Sequence, residues 1–348
     1  MIKDAIAILT KKRDLSFDET RAVFGEILSG TATPAQMAAF LVALRFKGET
    51  ETEVFAAATA VRERSIKIKV RGGLLGVEDS SEAVLDTCST GGSGINKFNV
   101  STAAAIVTAA CGLKVAKHGN RAMSGSCGSA DVLEDLGVKI QAKPEVMEAA
   151  ARQTGICFMY APLYHPAFKN VGPVRKEIGI KTIFNILGPL CNPAQASHQL
   201  LGVYAAELVE IMAKVLRDLG VKKALVVCGK DVFDEVSLSG PTKAVLVQGK
   251  KLVKMTLRPA DFGLKKISSL KVRSQGRPDN SRLMVELLEG KKSPYRDMVI
   301  ASASCCLWLA GKAHDLKTGA KIAAAAIDEG KALAKLEEFR DFLNKQSV

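Results

Sequence analysis

The sequence predicts an α/β protein: a small N-terminal α-helical domain followed by a larger α/β domain with a mainly parallel central sheet. Three observations predict it. The first 65 residues carry helical periodicity with a start signal for each segment. From residue 83 short apolar runs alternate with helical patterns, the order expected of a parallel layer. Gly-rich loops then fall where those apolar runs end. A chain of 348 residues is long enough for about two domains.

The helical region is the more explicit of the two. Ser16 precedes Glu19 by three residues, Thr33 precedes Gln36, and Thr50 precedes Glu53, all at capping-box spacing. Pro34 stands at a favoured first-turn position. The segments RAVFGEILSG, AAFLVALRFKG and VFAAATAVRER place apolar residues at helical spacing and end at or near glycine. Three or four short helices follow from this.

A connector, RGGLLGVEDSSE, leads into the alternating region. There AVLD, a helix from about Asn99 to Cys111, and LKVAKHG come first; GVKI, a helix around PEVMEAAARQT, and GICFMYA follow. HQLLGVY, the helix AELVEIMAKVLRDLG and KKALVVCG form a second β-α-β unit, and TKAVLVQGKKLVKMTL reads as a hairpin about Gln248-Gly249. The C-terminal third returns to helices. One of them, DMVIASASCCLWLAG, is apolar on nearly every side and is expected to be buried.

Composition narrows the class. Hydrophobic residues make up 47% and charged residues 24%, which excludes global disorder. No run approaches the ~18 apolar residues of a membrane helix, and the N-terminus is too charged for a signal peptide, so a cytoplasmic protein with no membrane partner is expected. The eight cysteines lack CxxC spacing and sit mostly among aliphatic residues, as buried reduced thiols do; a zinc site is not expected. A net charge of +13 favours an anionic partner, nucleic acid or polyphosphate, but aromatics at 5% supply no stacking platform for single strands.

Four clusters could carry chemistry. DTCSTGGSGINKFNVST (86–102) runs from a strand end through Gly91, Gly92 and Gly94 into a helix, where Asn99, Ser101 and Thr102 can cap the helix or donate to phosphate. Its spacing matches neither GxxxxGK[ST] nor GxGxxG, and taken alone it is equally a tight surface turn. VAKHGNRAMSGSCGSAD (115–131) brings Lys117, His118, Asn120 and Arg121 within five positions, with Ser124, Ser126 and Ser129 beyond; it reads as a second anion cradle rather than a helix-capping loop. PLYHPAFKNVGPVRKEIGIKTIFNILGPLCNP (162–193) holds His165 and Arg175 among closely spaced glycines and prolines. Arg175 can clamp a carboxylate, or simply pair along a helix surface. Asp234 and Glu235 follow the strand KKALVVCG and can hold Mg2+ or form a solvated acidic turn.

Together these clusters resemble anthranilate phosphoribosyltransferase. KHGNR followed by SGS-GSAD, then YHP…VRK, FNILGPL-NP, DEVS and DFGL, carry the resemblance over most of the chain. It implies a nucleoside phosphorylase/phosphoribosyltransferase-like fold with the active site between the two domains and a homodimer formed through the helical one. The division expected is 1–72 and 73–348, with helices from about 144–190 packing on the helical part. The implied reaction joins anthranilate to phosphoribosyl pyrophosphate and expels pyrophosphate, in tryptophan biosynthesis. By motif, Gly91, Gly92, Ser93, Asn99, Ser101, Thr102, Lys117, Ser124, Ser126 and Ser129 would hold phosphoribosyl pyrophosphate. His118, Asn120, His165 and Arg175 would border anthranilate, with Arg175 on its carboxylate. Ser101, Asp234 and Glu235 would hold Mg2+. The aromatic amine has a free lone pair at neutral pH, so no acid or base is assigned.

The chain departs from the family pattern in four places. Ser89 replaces a glycine and Ser93 an aspartate in the first loop; Cys127 replaces a serine, and Ser126 takes a position often basic. Two other readings remain. Pyrimidine nucleoside phosphorylases share the Ser-Thr-Gly-Gly loop, but with Lys-His where this chain has Thr87-Cys88. A non-catalytic paralogue of the fold could bind nucleic acid through its basic surface; the retained substrate clusters count against it.

Overall fold

The computed structural model describes residues 1–72, 82–92, 97–122, 127–231 and 234–346. Four helices open the chain: Ile2–Leu9, Phe17–Ser29, Pro34–Lys47 and Glu51–Glu63. Ser16, Thr33 and Thr50 each form a complete capping box, with the side chain accepting from the third helical amide and the partner Glu or Gln returning the bond. The local spacing alone was enough to mark these starts.

Seven strands make one sheet: β1 (Val84–Ser89), β2 (Lys114–Gly119), β3 (Ile156–Tyr160), β4 (His198–Gly202), β5 (Lys223–Gly229), β6 (Thr242–Gln248) and β7 (Lys251–Leu257). Their order is β3-β2-β1-β4-β5-β6-β7. The first five are parallel, while β6 and β7 are antiparallel and form the expected hairpin. The parallel strands are buried almost end to end, as a sheet covered on both faces requires. β7 closes the edge with exposed lysines Lys251 and Lys254, which discourage further strand addition.

Two cores flank the sheet. On one side the helices Val100–Ala110, Pro144–Thr154, Pro294–Leu309 and Lys331–Lys345 pack together, Pro294–Leu309 being buried around most of its circumference. The other core is continuous from Phe24, Phe40 and Leu44 in the N-terminal helices, through Phe184 and Leu187, to Met212 and Val226. The helical bundle therefore shares its interior with one face of the sheet.

Two expectations change. GVKI (137–140) forms no strand; Val138 and Ile140 are buried, but the run is a turn and extended link between helices. Of the stretch 144–190, the helix Pro144–Thr154 packs on β3 and on Lys331–Lys345 instead of the bundle. Pro166 to Leu190 does meet the bundle: Asn170 Nδ2 donates to Leu28 O at 2.9 Å, and the Phe24 and Phe184 rings lie 5.6 Å apart. Apolar periodicity located these helices without saying which face of the molecule each would cover.

After β1 the chain builds β2 and β3 to one side, then returns to place β4 on the other. β1 and β4 thus form a switch point, where parallel sheets open a crevice at their carboxyl ends.

Candidate active site

A cavity of about 310 Å³ opens at that crevice, reached by Ser89 at the end of β1 and Gly119 at the end of β2. Gly91, Gly92, Asn99, Ser101, Lys117, His118, Asn120, Ser129, Arg175 and Asp234 all line it. Residues from four separate sequence clusters are brought to one volume.

Gly91 and Gly92 have φ of +64° and +72°, so the loop leaves β1 by a route that side chains resist. Thr90 ties it down, donating its amide to Gly202 O at 2.9 Å and accepting from the Tyr204 amide at 3.1 Å. Asn99 does not cap the following helix. Its amide and Nδ2 donate to Asn280 Oδ1 at 2.8 and 3.2 Å, and Nδ2 reaches Cys127 O at 3.4 Å, joining the two glycine-rich loops. Ser101 faces the cavity from the first turn of that helix, whereas Thr102 is buried away from it.

Lys117 projects from β2 beneath this loop. Its Nζ donates to Thr87 O at 2.5 Å and lies 3.4 Å from Ser101 Oγ. Burial lowers its pKa, and buried Asp86 partly offsets that; burial raises the carboxyl of Asp86, with Lys117 opposing. Asp86 also accepts from the His118 amide and from Gln199 Nε2, each at 3.3 Å. Arg121, from the same cluster, is committed elsewhere: it pairs with Asp131 at 3.2 Å and Glu134 at 2.5 Å and so ties the segment after β2 to the helix Ser129–Asp135. Ser129 donates to Asn120 O at 3.2 Å. Ser93, Ser124 and Ser126 lie outside the described residues.

The opposite wall is aromatic. The His118 and His165 rings are 5.0 Å apart, His165 stacks on Phe168 at 5.2 Å, and Phe168 meets Phe184 edge-on at 5.6 Å. Burial takes the pKa of His118 down to about 3 and that of His165 to about 4, so both are neutral at pH 7. His118 Nδ1 lies 3.2 Å from Gly188 O, and its buried Nε2 has no partner among the described residues. Arg175 lies over the Phe184 ring at 5.3 Å and has no acidic partner among the described residues. Burial lowers its pKa, and its donors remain uncommitted. His165 stands behind His118 and does not itself line the cavity.

Asp234 and Glu235 follow β5, and the carbonyl of Asp234 packs against Gly202. A Cβ at Gly202 would come within 2.0 Å of it, so only glycine admits this approach. Both carboxylates are buried, and Lys97 reaches them. Its Nζ stands 2.9 Å from Asp234 Oδ1 and donates to Glu235 Oε1 at 3.0 Å. Burial opposes the lysine charge, but Asp234 and Glu235 outweigh it and raise its pKa. Burial raises the pKa of Glu235 against the pull of Lys97. The oxygens are of the kind Mg2+ takes. As assembled, however, Asp234, Glu235 and Ser101 do not fit a preformed Mg2+ site. An ammonium already stands on both carboxylates, and Ser101 faces the second ammonium, Lys117.

Sequence reading missed Lys97, Asp86 and Asn280. Lys97 sits inside the first glycine-rich loop, where a cation could have drawn attention. No local spacing links Asn280 to Asn99, which is 181 residues away.

Two family models cover most of the chain. The helical bundle domain of a glycosyl transferase family matches residues 3–65, and the a/b domain of that family matches residues 81–333. The protein is thus a glycosyl transferase of the class that joins a helical bundle to an α/β domain. Its relatives narrow the class. Anthranilate phosphoribosyltransferase from Geobacter sulfurreducens is 48% identical over 99% of this chain and 100% of its own length. The enzyme of that name from Desulfitobacterium hafniense is 44% identical over 97% and 98%. The crystal structure of anthranilate phosphoribosyltransferase from Thermus thermophilus superposes with a TM-score of 0.89 at 38% identity, covering 98% and 99% of the two chains. The Saccharomyces cerevisiae enzyme in complex with PRPP and Mg gives 0.89 at 28% identity, covering 99% and 98%. The chain belongs to the anthranilate phosphoribosyltransferase family.

Proposed function

We infer that this protein transfers the phosphoribosyl group of phosphoribosyl pyrophosphate to the amino nitrogen of anthranilate, releasing pyrophosphate, a step of tryptophan biosynthesis. One observation carries the reading at the site. A single cavity joins a floor of strand-end donors around Lys117 to an aromatic wall bearing the uncommitted guanidinium of Arg175. The floor suits phosphates, and the wall suits an aromatic carboxylate.

The backbone at Gly91 and Gly92, with Asn99, Ser101, Lys117 and Ser129, holds phosphoribosyl pyrophosphate in this reading; Ser93, Ser124 and Ser126 are assigned with them from the sequence. Thr102 supports the helix instead. Arg175 takes the anthranilate carboxylate, His118 and Asn120 border its ring, and His165 backs His118. As the N–C1 bond forms, the bond from C1 to the pyrophosphate oxygen breaks and the amine loses one proton. Fixed donors stabilise the charge that gathers on the leaving group, and the cavity aligns the amine. No acid or base is assigned. Mg2+, present with PRPP in the yeast relative, is proposed to enter as the counter-ion of the substrate phosphates.

The remaining assignments are proposals of the same kind. The chain is divided at 72/73, works in the cytoplasm, and pairs as a homodimer through the helical bundle. Phe46, 76% exposed on the helix Pro34–Lys47, and Val42 beside it support the last of these. Sedimentation at twice 37.0 kDa is expected. Among the described residues no helix is long and apolar enough to cross a membrane.

The deciding experiment follows anthranilate fluorescence in the presence of phosphoribosyl pyrophosphate and Mg2+. Loss of the signal, dependent on both, is expected. No turnover across a wide Mg2+ range would sink the reading.

A further inference from the structure

Among the described residues, Lys97 is the basic side chain of the first glycine-rich loop that reaches the acidic pair after β5. Its backbone is fixed by a bridge to Arg273, and its side chain is 16% exposed, against 0% for Asp234 and 7% for Glu235. An ammonium has three donors. Two directions are taken by Asp234 and Glu235, and Lys97 also lines the cavity, so the third can turn toward an anion there. Neither oxygen of Asp234 has another hydrogen-bond partner among the described residues, so the ammonium 2.9 Å away is the nearest group recorded on that carboxylate. A divalent ion on the same oxygens, at the ~2.0–2.1 Å that Mg2+ requires, would face a positive charge held on the same two carboxylates.

We propose that Lys97 is a built-in cation of this site. Its ammonium holds the Asp234–Glu235 pair in place of a protein-bound divalent ion and presents positive charge to the polyphosphate end of the substrate. The carboxylates orient the lysine, and the substrate-free protein carries no divalent ion there. Only the identity of the anion rests on the phosphoribosyl pyrophosphate reading; the displacement of metal by lysine does not.

The test uses substrate-free protein, with Mn2+ as the probe and free Mn2+ followed by electron paramagnetic resonance. Lys97→Met removes the charge while keeping most of the side-chain volume. It is expected to gain one Mn2+ per chain, bound at least about tenfold more tightly than by the wild type. Adding Asp234→Asn to Lys97→Met should abolish that gain, and Lys97→Arg should bind as weakly as the wild type. Thermal unfolding gives a second readout: Mn2+ should raise the melting temperature of Lys97→Met and leave that of the wild type unchanged. Equal affinity in wild type and Lys97→Met overturns the proposal, as does a wild-type site that Asp234→Asn removes. The wild-type and Asp234→Asn pair decides the matter even if Lys97→Met does not fold. Because no substrate is present, absence of anthranilate turnover leaves this result standing, and the converse also holds.

Discussion

At the scale of single residues, Arg175 and Lys117 are both cations of the cavity, yet they answer to different physics. Arg175 has an aromatic neighbour and, among the described residues, no carboxylate, so its charge is available to a ligand. Arg175→Ala should remove a charge-assisted contact worth about 1.5–3 kcal/mol, raising KM for anthranilate on the order of 10- to 100-fold. Affinity for phosphoribosyl pyrophosphate should change little, and equal losses on both substrates would contradict the assignment. Lys117 is bonded to Thr87 and Ser101 and compensates buried Asp86. Lys117→Met removes a buried ammonium whose charge offsets that of Asp86 and whose hydrogen bond holds Thr87 O, and should cost about 1–3 kcal/mol in urea unfolding. Adding Asp86→Asn should recover much of the loss; no recovery would mean the pair is not coupled. Arg121 shows why position in a motif is not enough. It lies four residues from Lys117 and spends its donors on Asp131 and Glu134.

Elements place these side chains through close backbone approaches. The end of β4 abuts the loop carrying Asp234 so tightly that a methyl group has no room. Gly202→Ala should destabilise the fold by about 1–3 kcal/mol, and because the displaced segment carries the acidic pair, activity should fall more than stability implies. A variant with wild-type melting temperature and turnover would show the contact to be soft. Helix starts are governed more locally. Thr50 caps Glu51–Glu63 and its partner Glu53 is wholly buried, also accepting from the Leu15 amide and Lys47. A cap visible in four residues of sequence therefore also anchors the first interhelical link. Pro144–Thr154 shows the reverse case: its apolar stripe marked a helix and was silent on which partner it would meet.

For the whole molecule, three buried histidines tie stability to pH. Burial brings His118 to about 3 and His165 and His198 to about 4, all below the ordinary value near 6.5. The unfolded chain therefore binds more protons between about pH 4 and 6.5, and stability falls as pH drops through that window. Each histidine contributes up to about 1.4 kcal/mol per pH unit there. Urea midpoints measured from pH 7 to pH 4.5 should fall steadily, and less steeply in His198→Gln. A flat profile would refute buried neutral imidazoles. Activity should show no inflection near pH 6.5 from His118 or His165, since both remain neutral above about pH 5. The basic residues behind the +13 charge are spread along the chain, and several arginines, such as Arg21 with Glu63 and Arg277 with Asp135, are already paired.

Helix starts, the alternation that makes a parallel sheet, the hairpin at Gln248-Gly249 and the glycine-rich loops were legible in the chain. Each rests on interactions within a few residues or on a short periodicity. The resemblance then gathered four separated clusters into one expected site. Folding was needed to distinguish among their polar residues. It turned Asn99 from a helix cap to Asn280, sent Arg121 to its acidic partners, buried Thr102, and set Arg175 over Phe184 with no acidic partner among the described residues. It also set Lys97 on Asp234 and Glu235, 137 and 138 residues away, where an ion had been expected. Such pairings depend on which strand ends become neighbours and on burial that makes an unpaired charge costly, and neither is encoded in local spacing.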